Sequence, residues 1–357
     1  MRYLGPGKLH LLGRLVINPS FRQASLAREL DVSRSAVNQI WTNLSLENNL
    51  RIRGNLDFGK IGLQMIFGWA SSSGESDILT KFSRWLESSR FVTNVATSTM
   101  TSTFDSRLYF EALLPASSQA GWFHSQIDRF RKKPYSLSIH TSECSRISHH
   151  LNLGLFDGSV WEFPDNFRIE ASIGAARGYV DILPDERTIK QSPPIDISAE
   201  DLLTAAVLEN DYFATATNLA DYYSKLGFAP DSGRTFRRRL LTIRERLFHP
   251  YVEIDNIGLT QRLLICIRDD TYYESAFSRL LHAQAGTFPK ARVVSGPSLT
   301  LLELEIPSSV KWLELSQVLS SLAGNASEIC TFIADFTVRG TRLESVVSHM
   351  TSRTPSG

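Results

Sequence analysis

The sequence predicts an α+β protein in which one structural plan occurs twice. The triplet Ile61-Gly62-Leu63 returns as Ile257-Gly258-Leu259, 196 positions later. Before each triplet, apolar residues recur at helical spacing, and after it strand-like and helix-like segments alternate. A repeat of this length indicates a duplicated pair of domains rather than a solenoid, whose repeats span about 20 to 50 residues.

The first 58 residues predict three helices and a small β wing. Apolar residues at helical spacing run from Lys8 to Asn18, and Pro19 ends this helix because the residue before a proline avoids the α region. A short helix from Ser25 to Leu30 follows, and Ser33 caps a longer third helix. Three helices with a tight turn between the last two are typical of a helix-turn-helix. From Leu50 to Asp57, apolar and polar residues alternate around a Gly-Asn pair, which predicts the wing.

Each triplet opens a segment whose pattern predicts a β-α-β-β-α-β unit, the ferredoxin-like arrangement. In the first copy we expect strands at Leu63–Ala70, Phe91–Thr99, Arg107–Leu114 and Tyr135–His140, and helices at Ser76–Ser89 and Ser117–Lys132. In the second copy we expect strands at Thr260–Ile267, Ala291–Ser295, Leu299–Ile306 and Glu328–Val338, and helices at Tyr272–Ala285 and Val310–Ala323. The complete prediction is a tandem duplication of a winged helix-turn-helix followed by a ferredoxin-like domain.

These patterns divide the chain into six segments. The predicted segments are the first winged helix-turn-helix at 1–58, the first ferredoxin-like domain at 59–142, a connecting segment at 143–197, the second winged helix-turn-helix at 198–256, the second ferredoxin-like domain at 257–340 and a tail at 341–357. In the connecting segment we expect short strands at Ser159–Phe163 and Arg168–Ile173, and in the tail a short helix at Thr341–Met350.

Composition predicts a cytoplasmic globular protein. Of 357 residues, 42% are apolar and 21% are charged, and no apolar run approaches the roughly 20 residues that span a bilayer. We therefore expect no membrane association. The net charge of +1 is unevenly distributed, since residues 1–58 hold eight Arg/Lys and four Asp/Glu, whereas residues 234–246 hold six Arg and one Glu. Near-neutrality thus does not exclude a nucleic-acid partner.

The third helix of each copy carries the side chains that predict contact with double-stranded DNA. In the first copy the polar face opposite the apolar one holds Ser33, Arg34, Ser35, Asn38, Gln39 and Thr42. Asn and Gln can read adenine, Arg can read guanine and Ser can bind phosphate. Phosphate contacts are predicted for Arg51 and Arg53 of the wing and for Arg234, Arg237, Arg238 and Arg239 of the second copy. The alternatives are a solvated polar helix face and, for the second group, internal pairing with the acids of residues 198–231.

In this order of elements the chain resembles two Lrp/AsnC (feast/famine) transcription regulators fused in tandem. The resemblance implies DNA binding through the third helix, pairing of the ferredoxin-like sheets and, in some members, an amino-acid-like effector. We therefore expect a regulator that acts as an intramolecular pseudo-dimer, with a homo-oligomer as a further expectation. The second copy departs from the pattern at Tyr223 and in the long turn from Leu226 to Asp231.

No sequence motif predicts an active site, so we expect no enzyme, no cofactor and no metal. A Gly-rich phosphate loop and a Ser-His-Asp order are both missing, and His149-His150 near Cys144 is interpreted as a pair of exposed linker histidines. Three alternatives stay open: an architectural DNA-binding protein, an interaction protein without DNA contact, and a sirohaem decarboxylase. The decarboxylases resemble fused Lrp-like units but place His and Arg in the sheet region, whereas Phe91–Leu114 and Phe288–Ile306 contain no histidine.

Overall fold

The structure, a computed structural model, describes most of both copies. The described residues are 3–72, 76–99, 106–115, 118–162, 197–268, 281–282, 285–310, 312, 328–335, 343–344 and 346–347. The predicted helices Tyr272–Ala285, Val310–Ala323 and Thr341–Met350 and the predicted strand Arg168–Ile173 lie wholly or largely outside them.

The described elements follow the predicted order in both halves of the chain. The first half holds α1 (Pro6–Ile17), α2 (Gln23–Glu29), α3 (Arg34–Asn48), β1 (Arg51–Leu56), β2 (Leu63–Ser72), α4 (Ser76–Ser88), β3 (Val92–Thr97), β4 (Ser106–Pro115), α5 (Ser118–Arg131), β5 (Ser138–Glu143) and β6 (Arg146–Leu151). The second half holds α6 (Ala199–Asn210), α7 (Ala216–Lys225), α8 (Gly233–Leu247), β7 (Phe248–Glu253), β8 (Leu259–Arg268), β9 (Lys290–Ser295), β10 (Leu299–Pro307) and β11 (Glu328–Ala334).

Two antiparallel sheets form the centre of the molecule. Their strand orders are β3-β4-β2-β5 and β11-β8-β10-β9-β6. In both copies the first and third strands of the unit are neighbours, the second strand lies beside the third, and the fourth lies beside the first. Helices precede each sheet in the chain, and the mixture of helices and antiparallel sheets confirms the α+β fold class.

The two sheets pack against each other through one face each. In β2, Phe67 and Trp69 point into a core shared with Leu264 and Cys266 of β8, whereas Ile66 points to the opposite face of its sheet. This alternation is the period of two of a β-strand. Apolar burial between the sheets therefore joins the two copies within one chain.

The predicted wing hairpins are wrong in their pairing. Instead of folding back on itself, β1 pairs antiparallel with β7 of the other copy, from Arg51 opposite Glu253 to Leu56 opposite Phe248. The Gly-Asn pair that indicated a turn lies inside β1, where a Cβ on Gly54 would come within 2.4 Å of the Phe248 ring. Glycine is needed at this position for a close approach, not for a turn.

The connecting segment contributes a strand that the sequence did not predict. β6 pairs antiparallel with β9 and forms an edge of the second sheet, with His149 opposite Arg292. The expected strand Ser159–Phe163 is reduced to one isolated bridge between Phe156 and Trp161.

Among the described residues, no helix is long and apolar enough to cross a membrane.

Candidate functional site: a cavity between the wings and the second sheet

A cavity of about 570 Å³ lies between the paired wings and the second sheet. We call it the wing cavity. It is lined by β1 and β7 on one side and by the ends of β6, β8, β9 and β10 on the other. Its volume lies within the roughly 300 to 1,000 Å³ of pockets that bind small molecules and cofactors.

Four buried charges of the two sheets form one cluster, and three of them, Arg262, Arg292 and Glu303, line the cavity. Arg292 places Nη1 2.5 Å from Oε1 of Glu111 and 3.3 Å from Oε2 of Glu303. The other carboxylate oxygen of Glu303, Oε1, accepts from Nε of Arg262 at 2.6 Å. Each of these four side chains is at most 3% exposed. Tyr109 donates to the same Glu111 oxygen at 2.8 Å. A carboxylate of the first sheet thus holds an arginine of the second.

The guanidinium of Arg292 keeps unused donors in this wall. Its Nε and Nη2 have no hydrogen-bond partner among the described residues, although the side chain is buried and lines the wing cavity. Burial lowers the pKa of Arg292, but Glu111 and Tyr109 outweigh this and raise it overall, so the group is a permanent cation. A buried N–H without an acceptor is costly, and an anion in the cavity would supply one.

A histidine stands beside Arg292 on the same sheet face. His149 of β6 lies opposite Arg292 of β9, and residues paired in this way share a face. Its ring stacks on Tyr251 of β7, with centroids 3.9 Å apart and planes 9° from parallel. The strand register and the stacking together fix this imidazole in the cavity wall.

A second histidine leads from the cavity into the protein through a chain of hydrogen bonds. His150 Nε2 lies 3.1 Å from Ser148 Oγ, which lies 2.8 Å from His282 Nδ1, and His282 Nε2 lies 2.9 Å from Ser295 Oγ. Burial lowers the pKa of His282 to about 3, and burial followed by Arg146 lowers the pKa of His150. Both rings are therefore neutral near pH 7, with one donor and one acceptor nitrogen each.

The interpretation of His149 and His150 as exposed linker histidines is wrong. Both are half-buried, lie on a strand of the second sheet and line the wing cavity. From the sequence we expected the strands of the two sheets to come only from the two repeats. The strand β6, which comes from the connecting segment, was therefore not predicted. β6 and His282 place histidines at the second sheet, where the sequence expectation found none.

The six predicted DNA-contacting residues of the first third helix lie together on the surface. Ser33, Arg34, Ser35, Asn38, Gln39 and Thr42 are all exposed at or within α3. Ser33 caps the helix, because its Oγ accepts from the backbone N–H of Ala36 at 3.1 Å. The face is accessible, and contact with DNA stays a prediction.

The predicted phosphate-binding arginines divide into two groups. Arg51, Arg234, Arg237 and Arg238 are exposed. Arg239 instead lies 3.0 Å from Asp231 and 3.4 Å from Asp201, and Arg53 forms an ion pair with Glu253 across the paired wings. Arg239 and Arg53 therefore have carboxylate partners within the chain. For Arg239 this agrees with the alternative of internal pairing with the acids of residues 198–231.

Comparisons with known proteins find likeness only at the level of structure. No protein-family model matches the sequence. No curated protein matches it either. The siroheme decarboxylase NirDL superposes with a TM-score of 0.52 and 9% identity over 97% of this chain and 98% of that one. NirDL in co-complex with an iron-uroporphyrin III analogue gives a TM-score of 0.53 and 10% identity over 97% of both chains. AsnC of E. coli matches over 41% of this chain, with a TM-score of 0.28 and 16% identity.

These matches correct the expectation that the chain is not an enzyme. Two solved structures that match over nearly the whole of both chains are of a decarboxylase. At this identity the likeness to the decarboxylase shows the fold alone. The absence of those motifs therefore does not exclude an enzyme, because an enzyme has this fold.

Proposed function

We propose that this chain is a decarboxylase that binds a polycarboxylated tetrapyrrole in the wing cavity and removes carbon dioxide from one of its carboxylate side chains. The observation that carries the proposal is Arg292, a buried guanidinium with two unused donor groups in the cavity wall. A substrate carboxylate is the acceptor that matches such a planar fork. The full-length likeness to a siroheme decarboxylase supports the same substrate class.

The cavity offers further cations for a substrate with several carboxylates. Arg51 and Lys290 also line it, and Lys290 is half-buried between Glu305 at 2.8 Å and Asp255 at 3.6 Å. Several cations around one cavity favour a ligand that carries several negative charges.

The reaction needs a proton but no oxidant. The bond between the side-chain carbon and the carboxyl carbon breaks, carbon dioxide leaves, and the electron pair stays on the side-chain carbon, which then takes one proton. His149 stands on the face that holds Arg292, and His150 connects the cavity through Ser148 to His282. We assign His149 and His150 to proton delivery, since an imidazole transfers protons near neutral pH. Arg292 holds the carboxylate in place.

The proposal is tested by binding and turnover of iron-uroporphyrin III. The intact protein is titrated with this compound by absorbance, and the products are analysed by mass spectrometry for loss of carbon dioxide. His149→Ala should reduce turnover roughly 100-fold or more while binding is retained, as expected for loss of a proton-transfer group. Lys290→Gln should weaken binding, and Arg234→Gln, an exposed charge outside the cavity, is the control. Binding and turnover unchanged in both cavity variants would remove the cavity as the site.

A second candidate function is regulation of transcription through α3. It is favoured by the six polar side chains exposed on one helix, which retain the chemistry that reads base edges. Selection from random duplex DNA tests it: a steep sequence preference supports a regulator, and salt-dependent binding without preference supports an architectural protein. No binding to any duplex would exclude both.

A further inference from the structure

A second concave site lies between the two helix-turn-helix units. This groove has a volume of about 1,130 Å³, and we call it the helix groove. Its walls come from α2, α3 and β1 of the first copy and from the α6–α7 turn and α8 of the second. Arg51 and Asn210 line both the helix groove and the wing cavity, so the two spaces adjoin.

Four arginines line the helix groove against one carboxylate. They are Arg22, Arg51, Arg237 and Arg244, and the acid is Asp211. The described residues place no ion pair on any of the four. Like charges brought together in this way repel each other unless an anion neutralises them. The groove therefore has an excess of positive charge that is available to a ligand.

Arg244 is built into the wall of this groove. It is 9% exposed, its Nη2 donates to the backbone oxygen of Ala214 at 3.1 Å, and its guanidinium carbon lies 5.4 Å from the ring centre of Tyr212. Its Nε is buried and has no hydrogen-bond partner among the described residues. Burial, followed by the charge of Arg22, lowers the pKa of Arg244. Arg22 of the first copy and Arg244 of the second line the same groove. The part of the chain that the structure describes supplies no acceptor for this N–H.

Apolar and aromatic side chains form the rest of the surface. Trp41 and Phe213 line the groove with Leu241, which is 50% exposed on α8. An exposed leucine beside aromatic rings favours a ligand with a flat apolar body. Arginine and aromatic rings together fit a large flat molecule that carries anionic groups at its edge.

We propose that the helix groove is a second binding site for the carboxylated tetrapyrrole, adjoining the wing cavity. This inference rests on the proposed function for the identity of the ligand. The arrangement of α3 and α8 does not fit a helix-turn-helix dimer that contacts two half-sites of a DNA duplex, because the third helices of such dimers enter half-sites about 34 Å apart. Here α3 and α8 line a single groove, with Arg22 beside Arg244. Nucleotides share the required chemistry, a flat ring with several negative charges, and are distinguished by experiment.

The test compares two double variants of equal charge in the intact protein. Arg22→Gln with Arg237→Gln removes two exposed groove arginines, and Arg234→Gln with Arg238→Gln removes two exposed arginines that do not line it. Calorimetric titration with iron-uroporphyrin III should show two binding events in the natural protein. The groove variant should weaken one of them by roughly tenfold or more, as for loss of a hydrogen bond to a charged group. The matched variant should leave both unchanged.

Each other outcome separates this inference from the proposed function. A single binding event that Lys290→Gln weakens and the groove variant leaves unchanged would overturn the second site and keep the wing cavity. A single event weakened by the groove variant alone would support the groove and overturn the cavity as the binding site. Loss of the groove event on addition of ATP, with tighter binding of ATP than of the tetrapyrrole, would assign the groove to nucleotides and overturn the proposal. Equal weakening by both double variants would show charge attraction without a site.

Discussion

The lowered pKa of the buried His282 imidazole predicts how the free energy of unfolding depends on pH. The ring lies between Ser148 and Ser295, with His150 and Arg146 as the nearby titratable and charged groups, and its pKa falls from 6.5 to about 3. In the folded protein His282 stays neutral where an unfolded histidine is protonated. The unfolded state therefore binds one more proton between these two values, and the folded state loses stability as the pH falls below 6.5.

The size of this loss follows from the two pKa values. Each pH unit below 6.5 costs about 1.4 kcal/mol, so the contribution of His282 should decrease by about 2 kcal/mol between pH 8 and pH 5. The decrease would reach about 5 kcal/mol near pH 3, where the folded ring also becomes protonated. The window from pH 8 to 5 is preferable because most carboxylates remain ionised there.

Urea unfolding of the natural protein and of His282→Gln, at half-unit steps of pH, measures the effect. Glutamine does not titrate, so the difference between the two free energies of unfolding removes the contributions that both proteins share. This difference should favour the natural protein less at pH 5 than at pH 8, by about 2 kcal/mol. A difference that is independent of pH would show that folding does not lower the pKa of His282, and the neutral hydrogen-bond chain from His150 would be refuted.

Three further predictions concern the wings and the two third helices. Gly54→Ala should destabilise the protein by about 1 to 3 kcal/mol in thermal unfolding, because the added Cβ would overlap the Phe248 ring. The control Gly13→Ala, with open space around its Cβ, should not destabilise it. Equal melting temperatures of the two variants would contradict the close approach at Gly54. If α3 reads DNA, Asn38→Ala with Gln39→Ala should cost roughly 1 to 3 kcal/mol per lost bidentate contact on the preferred site, and unchanged sequence preference in a binding selection would exclude these amides. If the second copy contacts DNA phosphates, replacing Arg237 and Arg238 by Gln should make the logarithmic salt slope of DNA binding shallower by roughly 0.9 per phosphate contact. Arg239→Gln should leave that slope unchanged, since this group pairs with Asp231, and an equal effect of all three would contradict that assignment.

The sequence predicted the strands that are buried along most of their length and missed one that is not. In β4 and β10 the apolar residues were numerous enough to identify the strands, which are buried along nearly their whole length. β6 was missed because it is an edge strand whose residues are mostly half-buried, so Ile147, Ser148 and His149 give no apolar alternation. Its partner β9 follows about 140 positions later, and no local pattern indicates such a pairing.

The candidate site was missed for a related reason. Arg262, Arg292 and Glu303 occupy positions in strands where a polar residue indicates a solvent-facing side. They are buried because the face they share meets the other sheet, and the carboxylate nearest to Arg292 is Glu111, 181 positions away. Only the pairing of the two copies makes this face an interior, so the charges could not be recognised before the packing of the sheets was known.

The buried charges are better explained by ligand binding than by stability. Replacing a buried ion pair by apolar residues of similar volume is often neutral or stabilising, whereas removing one partner costs about 3 to 5 kcal/mol. Glu111, Arg292, Glu303 and Arg262 join the two sheets at the rim of an apolar core that already holds them together. A core built for stability alone would continue as Leu264 and Cys266 do further along the same face. Side chains on this face change from apolar to charged where the face reaches the wing cavity. The position of the charged residues therefore matches the cavity and not the whole contact between the sheets.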